Sequence, residues 1–213
     1  MDSSRAETWE TSLIETDEIS AGDRYQLLTS LVVPRPIGWL SSFASDGSAN
    51  LAPFSYFAAL ADTPMLVGAS IGRRRGGPKD TLRNIRETKA FCVNVVTEGQ
   101  LEAMNATAGD YPPEVDEFEV AGLPRARAAR VFAPYVGNCP AVLECRLYRE
   151  VELGPSNSLV IGEVVAVRID PSLRRVPGSC HVATESLRPV GRLFSVHYSL
   201  LGPIKALARP RVG

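Results

Sequence analysis

Two long stretches of the chain alternate apolar and polar residues, the pattern of antiparallel strands. In AVLECRLYREVEL, which begins at Ala141, the apolar residues at positions 141, 143, 145, 147 and 151 are predicted to face one way, and Glu144 and the residues at positions 146, 148, 150 and 152 the other. The turn GPSNS separates it from LVIGEVVAVRID, which begins at Leu159 and is predicted to be its hairpin partner. Shorter extended runs are predicted at residues 37–43, 50–60, 64–70 and 90–96. Hairpin-joined strands favour a β-barrel or sandwich with peripheral helices over a doubly wound sheet.

Helical spacing predicts only short helices. We expect one at residues 23–30, one that begins near Lys79 with Asp80 or Thr81 capping its first turn, and one at residues 98–107. Residues 107–138 are rich in Pro, Gly and acidic residues, so we expect them to be mostly irregular. Residues 1–22 form a polar lead-in and residues 203–213 a basic, proline-bearing tail. A single domain over residues 23–202 is therefore predicted.

Charge and cysteine content exclude several classes of protein. The 213 residues hold 23 basic and 24 acidic side chains, a balance that argues against a general nucleic-acid binder. No apolar run reaches the length of a membrane helix, and the acidic N-terminus resembles neither a secretory nor a transit peptide, so we expect a cytoplasmic protein without a membrane partner. Four widely spaced cysteines and two histidines predict reduced, buried thiols and no metal site. The cysteines are Cys92, Cys139, Cys145 and Cys180.

Positive charge is concentrated in GRRRGGPKDTLRNIRE, residues 72–87. A basic, glycine-rich loop that leads into a helix N-terminus can hold a phosphate group, with Lys79 adding a full charge and Thr81 a hydroxyl. Arg73 to Arg75 could supplement Lys79. The alternative is a solvated loop followed by an ordinary helix cap.

A second segment could hold the rest of such a ligand. NLAPFSYF, residues 50–57, places an amide, a serine and aromatic rings around a strand interrupted by Pro53. A kinked backbone leaves polar groups free for the edge of a planar ligand, although a packed barrel corner would use the same residues. No nucleophile or Walker motif is present. These features suggest that a bound cofactor, and no catalytic side chain, carries the chemistry.

The order of segments resembles the flavin reductase-like, FMN-binding split-barrel family, which includes the flavoredoxins. The segments run in the order VVPRPIGWLSS, DGSANLAPFSYFAAL, KDTLRNIRETKAFCVNVV, EAMNATAGDYPPEVDEFEVAGL, AVLECRLYREVELG, LVIGEVVAVRID and LRPVGRLFSVHY. The resemblance covers about residues 25–202. It implies a mainly β fold, a six-stranded Greek-key split β-barrel with short peripheral helices. It also implies a homodimer with FMN near the subunit interface.

The resemblance also assigns cofactor-binding residues. The KDT motif would hold the FMN phosphate, the segment from Asn50 would lie along the flavin and ribityl chain, and the remaining serines end strands beside the cofactor. The full set is Ser41, Ser42, Asn50, Ala52, Pro53, Phe54, Ser55, Ser70, Lys79, Asp80 and Thr81. Many relatives carry Arg-Leu-Gly-Gly and then Tyr near the C-terminus. Here Arg192 and Leu193 are followed by Phe194 and Ser195, and then Tyr198, so space beside the flavin is reduced.

Three functions remain open from the sequence. The first is an NAD(P)H-dependent flavin reductase that passes hydride through bound flavin to an acceptor or a partner monooxygenase. The second is a flavoredoxin-like, FMN-binding electron-transfer protein without its own NAD(P)H turnover. The third is a relative whose site is structural or binds another ligand.

Overall fold

The structure is a computed structural model that describes residues 12–74 and 77–210. Its strands are β1 (Arg35–Pro36), β2 (Gly38–Phe43), β3 (Ala49–Phe54), β4 (Phe57–Asp62), β5 (Met65–Arg74), β6 (Gly77–Pro78), β7 (Ala90–Val95), β8 (Arg125–Arg127), β9 (Pro134–Val136), β10 (Ala141–Leu153), β11 (Asn157–Ile169), β12 (Gly191–Arg192) and β13 (Tyr198–Ser199). Its helices are α1 (Ala21–Leu31), α2 (Asp80–Thr88), α3 (Leu101–Ala106, preceded by a 3₁₀ turn over Glu98–Gln100), α4 (Glu117–Val120) and α5 (Thr184–Leu187). Parts of the prediction that concern residues 1–11, 75–76 and 211–213 lie outside the described residues.

The fold is mainly β and is built around one large antiparallel sheet. Its strands lie in the order β3-β2-β7-β10-β11-β5-β4, and β6 pairs with β5. The predicted hairpin is present, with β10 and β11 paired from Ala141–Ile169 to Leu153–Asn157. The sheet has eight strands in the described part of the chain, so the expected count of six is not confirmed.

Strand β2 is buried along its whole length and separates two clusters of core residues. Leu40 belongs to the cluster that α2 closes with Leu82 and Ile85. Trp39 on the other face belongs to the cluster covered by the segment after α3, which contributes Phe118. Fully burying a large apolar side chain contributes about 1.5–3 kcal/mol, so both faces fix the position of β2 and of the strands beside it.

The segment predicted to be irregular is more ordered than its composition suggests. Residues 107–138 contain α4 and the hairpin β8–β9. Asp116 caps α4 by accepting a hydrogen bond from the Phe118 backbone N–H, and the same carboxylate pairs with Arg125. These local contacts order a segment that lacks hydrophobic periodicity.

Two expectations about single residues are wrong. Glu144 was expected on the polar, solvent-exposed face of its strand, but it is only 1% exposed, because the loop between β8 and β9 covers that face and its Ala129 and Arg130 N–H groups donate to the carboxylate. Cys180 is exposed although a buried thiol was expected, whereas Cys92 and Cys145 are buried. Burial raises the pKa of the Cys139 thiol to about 11.

Strand β4 lies at one end of the main sheet and is open to solvent. Every residue from Ala58 to Met65 is exposed, including Leu60 at 46%. None of the helices described is long and apolar enough to cross a membrane.

Candidate functional site

The corner between β6 and α2 presents uncapped helix N–H groups. Lys79 is the N-cap residue, in extended conformation, and no side chain caps the helix. The expected cap by Asp80 or Thr81 is therefore wrong, because both residues lie inside the helix. The N–H groups of a first helical turn lack intrahelical partners and carry a partial positive charge. This corner therefore suits an anion.

Thr81 ties α2 to the proline-containing strand β3. Its Oγ1 accepts a hydrogen bond of 2.8 Å from Asn50 Nδ2, and both side chains are buried. The contact joins the two segments that the sequence analysis assigned to opposite ends of a ligand. The Thr81 hydroxyl keeps its own proton, which is available for donation.

Six of the predicted residues line one cavity of about 230 Å³, which we call the Lys79 cavity. They are Asn50, Ala52, Pro53, Lys79, Asp80 and Thr81. Arg74, one of the arginines expected to supplement Lys79, also lines this cavity. Thr107, Asp110 and Glu117 line it as well and were not singled out from the sequence. Only the folded chain brings the long segment after α3 against β3, so no local sequence signal marks these three residues.

Lys79 is the cation of this cavity that is free for a ligand. Arg74 is engaged by Asp80 at 3.2 Å and by Asp110 at 3.5 Å. Lys79 has no carboxylate within 4 Å among the described residues, and its Nζ lies 5.8 Å from the centroid of the Phe54 ring. Arg73 pairs with Glu152 at 3.5 Å, and Arg75 lies outside the described residues. The positive charge that Arg73 and Arg74 were expected to add to that of Lys79 is thus neutralised by ion pairs with carboxylates.

Glu117 introduces an acidic group into the same cavity. Its Oε2 accepts a hydrogen bond of 3.0 Å from the Leu51 backbone N–H. Burial raises the pKa of this carboxyl group, against the lowering effect of that hydrogen bond. A protonated Glu117 would be the better neighbour for a bound anion.

The predicted serines other than Ser55 are engaged within the fold. Ser41 donates to the Pro134 carbonyl at 2.6 Å, and Ser42 accepts from Asn84 at 3.2 Å; both are fully buried. Ser70 accepts from Asn157 Nδ2 at 3.0 Å. These three residues do not line the Lys79 cavity, and neither does Phe54, which packs in the core.

Ser55 lines a second cavity of about 160 Å³, which we call the Arg192 cavity. Pro53 and Ala108 line both cavities, so the two adjoin. The Arg192 guanidinium lies over the Tyr198 ring, 4.6 Å from its centroid, and donates to the Tyr198 hydroxyl. That hydroxyl donates in turn to Asn105 Oδ1 at 2.8 Å.

The Lys79 cavity offers donors for the phosphate of a planar ligand, and the Arg192 cavity adjoins it. The Lys79 cavity supplies an ammonium group and helix N–H donors, and the Arg192 cavity supplies aromatic and apolar walls. Within residues 12–74 and 77–210, no group of three or more His, Cys, Asp or Glu side chains is arranged to hold a metal ion. Fold and site thus define a mainly β, antiparallel-sheet protein whose corner at the start of α2 suits an anion.

Comparison with known proteins identifies the family. The family model described as "Flavin reductase like domain" matches residues 30–179. The chain belongs to this family, and it is a flavoprotein oxidoreductase.

Three similar proteins illustrate the relationship. Nitrilotriacetate monooxygenase component B from Bacillus cereus has a TM-score of 0.90 and 33% identity, covering 94% of this chain and all of that one. The 2-nitrobenzoate 2-nitroreductase of Pseudomonas fluorescens has a TM-score of 0.85 and 29% identity, covering 93% and 96%. An uncharacterized protein of Aquifex aeolicus is 38% identical over 175 residues, which are 82% of this chain and 88% of the relative.

Proposed function

We propose that this protein is an NAD(P)H-dependent flavin reductase that binds FMN and passes reducing equivalents to an acceptor or a partner oxygenase. The observation that carries the proposal is the uncapped N-terminus of α2 beside Lys79, which makes no ion pair within the described part of the chain, in a cavity that Asn50 and Pro53 also line. When bound, FMN would supply the hydride chemistry between NAD(P)H and the acceptor.

The chain's own part would be binding and positioning. Lys79 and the α2 N–H groups would hold the phosphate, and Asn50, fixed by Thr81, would present its remaining polar atoms to the ligand. Pro53, which lines both cavities, would continue along it to the edge of the Arg192 cavity, where Ser55 lies. For Ser41, Ser42, Phe54 and Ser70 we propose an indirect role, because their side chains pack or bond inside the fold beneath the cavities.

FMN rather than FAD is proposed because the anion corner is compact and the chain has no dinucleotide GxGxxG unit. Calorimetric titration with both flavins tests this directly. We expect tighter binding of FMN, and clearly tighter binding of FAD would contradict the proposal.

A homodimer is proposed as the working form, with residues 23–202 as the flavin-binding domain of each cytoplasmic subunit. The exposed apolar edge strand β4 supports it, because such edges pair with other strands or are covered. A partner oxygenase is suggested by the similar Bacillus cereus protein, which is a monooxygenase component.

The test is a visible spectrum of the purified protein followed by an assay with NADH, NADPH and free FMN. A flavin spectrum with rapid NAD(P)H oxidation supports the reductase. A flavin spectrum without oxidation of either nucleotide would favour the electron-transfer alternative. A protein that neither contains nor binds flavin would contradict both.

A further inference from the structure

Arg35 is a buried cation whose charge no carboxylate offsets. It is 7% exposed, and its Nη1 and Nη2 donate to three backbone carbonyls, those of Thr29, Val32 and Leu193, at 2.7–2.9 Å. Its Nε is buried without a hydrogen-bond partner among the described residues. No Asp or Glu lies within 4 Å of the guanidinium in the described part of the chain. A buried charge in this situation is costly unless a counter-charge arrives.

A second arginine lies directly opposite the first. Strand β1 pairs with β12, and the register sets Arg35 against Arg192. Like charges directly opposite each other on paired strands are destabilising. Arg192 is half-buried, donates to Tyr198 and to the Ser195 carbonyl, and has no carboxylate within 4 Å among the residues described. The fold therefore holds together two positive charges that repel each other.

Both arginines line the Arg192 cavity, and none of the described residues lining it is acidic. Its other walls are largely apolar or aromatic, including Tyr25, Ile37 and Met104. The volume of about 160 Å³ is below the ~300–1,000 Å³ typical of sites for drug-sized ligands. This space suits one compact anionic group and the small body that carries it.

We infer that Arg35 and Arg192 form an oxyanion subsite, separate from the Lys79 corner, that binds a carboxylate or phosphate group of a compact ligand. An oxyanion between the two guanidiniums relieves their repulsion and supplies the missing acceptor for Arg35 Nε. Because the cavity shares Pro53 with the Lys79 cavity, this ligand is the second reactant of the flavin. That last identification rests on the proposed function, whereas oxyanion binding itself does not.

The test is calorimetric titration of the purified full-length protein in Tris chloride buffer with sodium benzoate and with inorganic phosphate. Phosphate titrations use the Lys79→Ala background, so that the other anion corner does not contribute. We expect saturable binding of at least one probe, and Arg192→Gln should weaken it at least tenfold. Arg146→Gln is the matched control, because it removes an exposed charge on β10 that does not line the Arg192 cavity. We expect its affinity for both probes to be unchanged. Tighter benzoate binding assigns a carboxylate ligand, and tighter phosphate binding a phosphate ligand.

Arg35→Lys is the second variant, because it keeps the charge but loses the forked geometry, and a thermal melt establishes that it folds. A folded Arg35→Lys protein should also bind the better probe more weakly. Absence of binding by both probes, or equal binding by wild type and Arg192→Gln, would overturn the subsite. Benzoate binding that is lost in Lys79→Ala would overturn it as well, since the anion would then occupy the other cavity. If NAD(P)H oxidation is absent while Arg192-dependent binding persists, the proposed function fails and the subsite stands.

Discussion

Lys79 and Thr81 are two residues apart and have different physical roles. The sequence assigned both to a phosphate, one as a charge and the other as a hydroxyl. In the fold, Thr81 is buried and accepts a hydrogen bond from Asn50, so it holds α2 against β3. Lys79 is half-buried, makes no ion pair with the described residues and stands at the helix start. The local motif at residues 79–81 predicted the position of the candidate site but not the different roles of Lys79 and Thr81.

Replacing Lys79 by Ala should weaken FMN binding without weakening riboflavin binding. A charge-assisted contact contributes about 1.5–3 kcal/mol, which corresponds to roughly a 10- to 150-fold loss of affinity. Calorimetry on wild type and variant measures it, and Lys205→Ala in the exposed tail is the matched charge control. If riboflavin and FMN lose affinity equally, the lysine does not act on the phosphate. The loss should also be smaller at high salt, because screening weakens the wild-type contact.

Glu117 should oppose FMN binding when it is ionised. Burial raises the pKa of its carboxyl group in the folded protein above the ordinary Glu value of about 4.3. The folded state therefore loses stability as the pH rises from that ordinary value through the raised pKa. Glu117→Gln keeps an acceptor for the Leu51 N–H and removes the charge. We expect several-fold tighter FMN binding by the variant at pH 8 and a smaller difference from wild type at pH 5, because the raised pKa of Glu117 favours its protonated form as the pH falls.

Glu119→Gln is the control for this prediction, because Glu119 lies on the same helix and is exposed. Its FMN affinity should match that of wild type at both pH values. An unchanged affinity of Glu117→Gln at pH 8 would show that the Glu117 charge does not reach the ligand.

At the scale of secondary-structure elements, the loop between β8 and β9 covers one face of β10 and makes Glu144 a buried hydrogen-bond acceptor. Glu144 accepts hydrogen bonds from the backbone N–H groups of Ala129 and Arg130 and from Arg168 Nε, at 3.2, 2.6 and 2.6 Å. It thereby fixes the loop between β8 and β9 onto the barrel. Strict alternation predicts the hairpin but not this clamp, because the alternation of β10 does not show that a loop from residues 128–133 will cover one of its faces.

Glu144→Gln should lower the free energy of unfolding by about 1.5–3 kcal/mol at pH 7, because hydrogen bonds to a charged acceptor are lost. Burial alone would raise the pKa of Glu144, but the hydrogen bonds from Arg130, Ala129 and Arg168 outweigh it and lower the pKa. The wild-type advantage should therefore be present above about pH 4.3 and vanish as the pH falls through the lowered pKa. Denaturant titrations at several pH values measure the difference.

The exposed Glu152, whose side chain is 74% accessible, provides the comparison. Glu152→Gln should cost no more than about 1 kcal/mol, as surface ion pairs contribute little. Equal losses in the two variants would remove the distinction between a clamp and a surface charge.

At the scale of the whole molecule, the sequence predicted most elements and the family but not the long-range contacts. Hairpin patterns located β10 and β11 closely, and α1 begins only two residues before its predicted start. Asp110 and Glu117 were missed as cavity residues because contacts distant in sequence bring them there. Arg35 was missed for the same reason, since nothing near PRP in the chain indicates that Arg192 will lie opposite. Local chemistry is readable from sequence, whereas the meeting of separated segments is a property of the fold.

Assembly also belongs to this scale, and β4 carries the prediction. Ala59→Lys places a charge on the exposed edge strand and should shift the proposed homodimer toward a species near the chain mass of 23.0 kDa. Sedimentation at micromolar concentration measures the change, and Ala129→Lys, in an exposed loop, is the control. A wild-type protein that sediments only as the single chain would contradict the dimer. An unaffected dimer in the variant would place the interface away from β4.

The hydrogen bond that holds Trp39 makes this tryptophan a fluorescent reporter of the Lys79 cavity. The indole is fully buried and donates at 2.9 Å to Thr107, which lines the Lys79 cavity. Only one other tryptophan, Trp9, occurs in the sequence, so Trp9→Phe leaves a single emitter. Flavins absorb at the wavelengths at which tryptophan emits, so an isoalloxazine bound beside this cavity would quench the indole fluorescence by energy transfer. The fluorescence of Trp39 would then report the fraction of protein molecules that have bound flavin, even for variants whose activity is too low to assay.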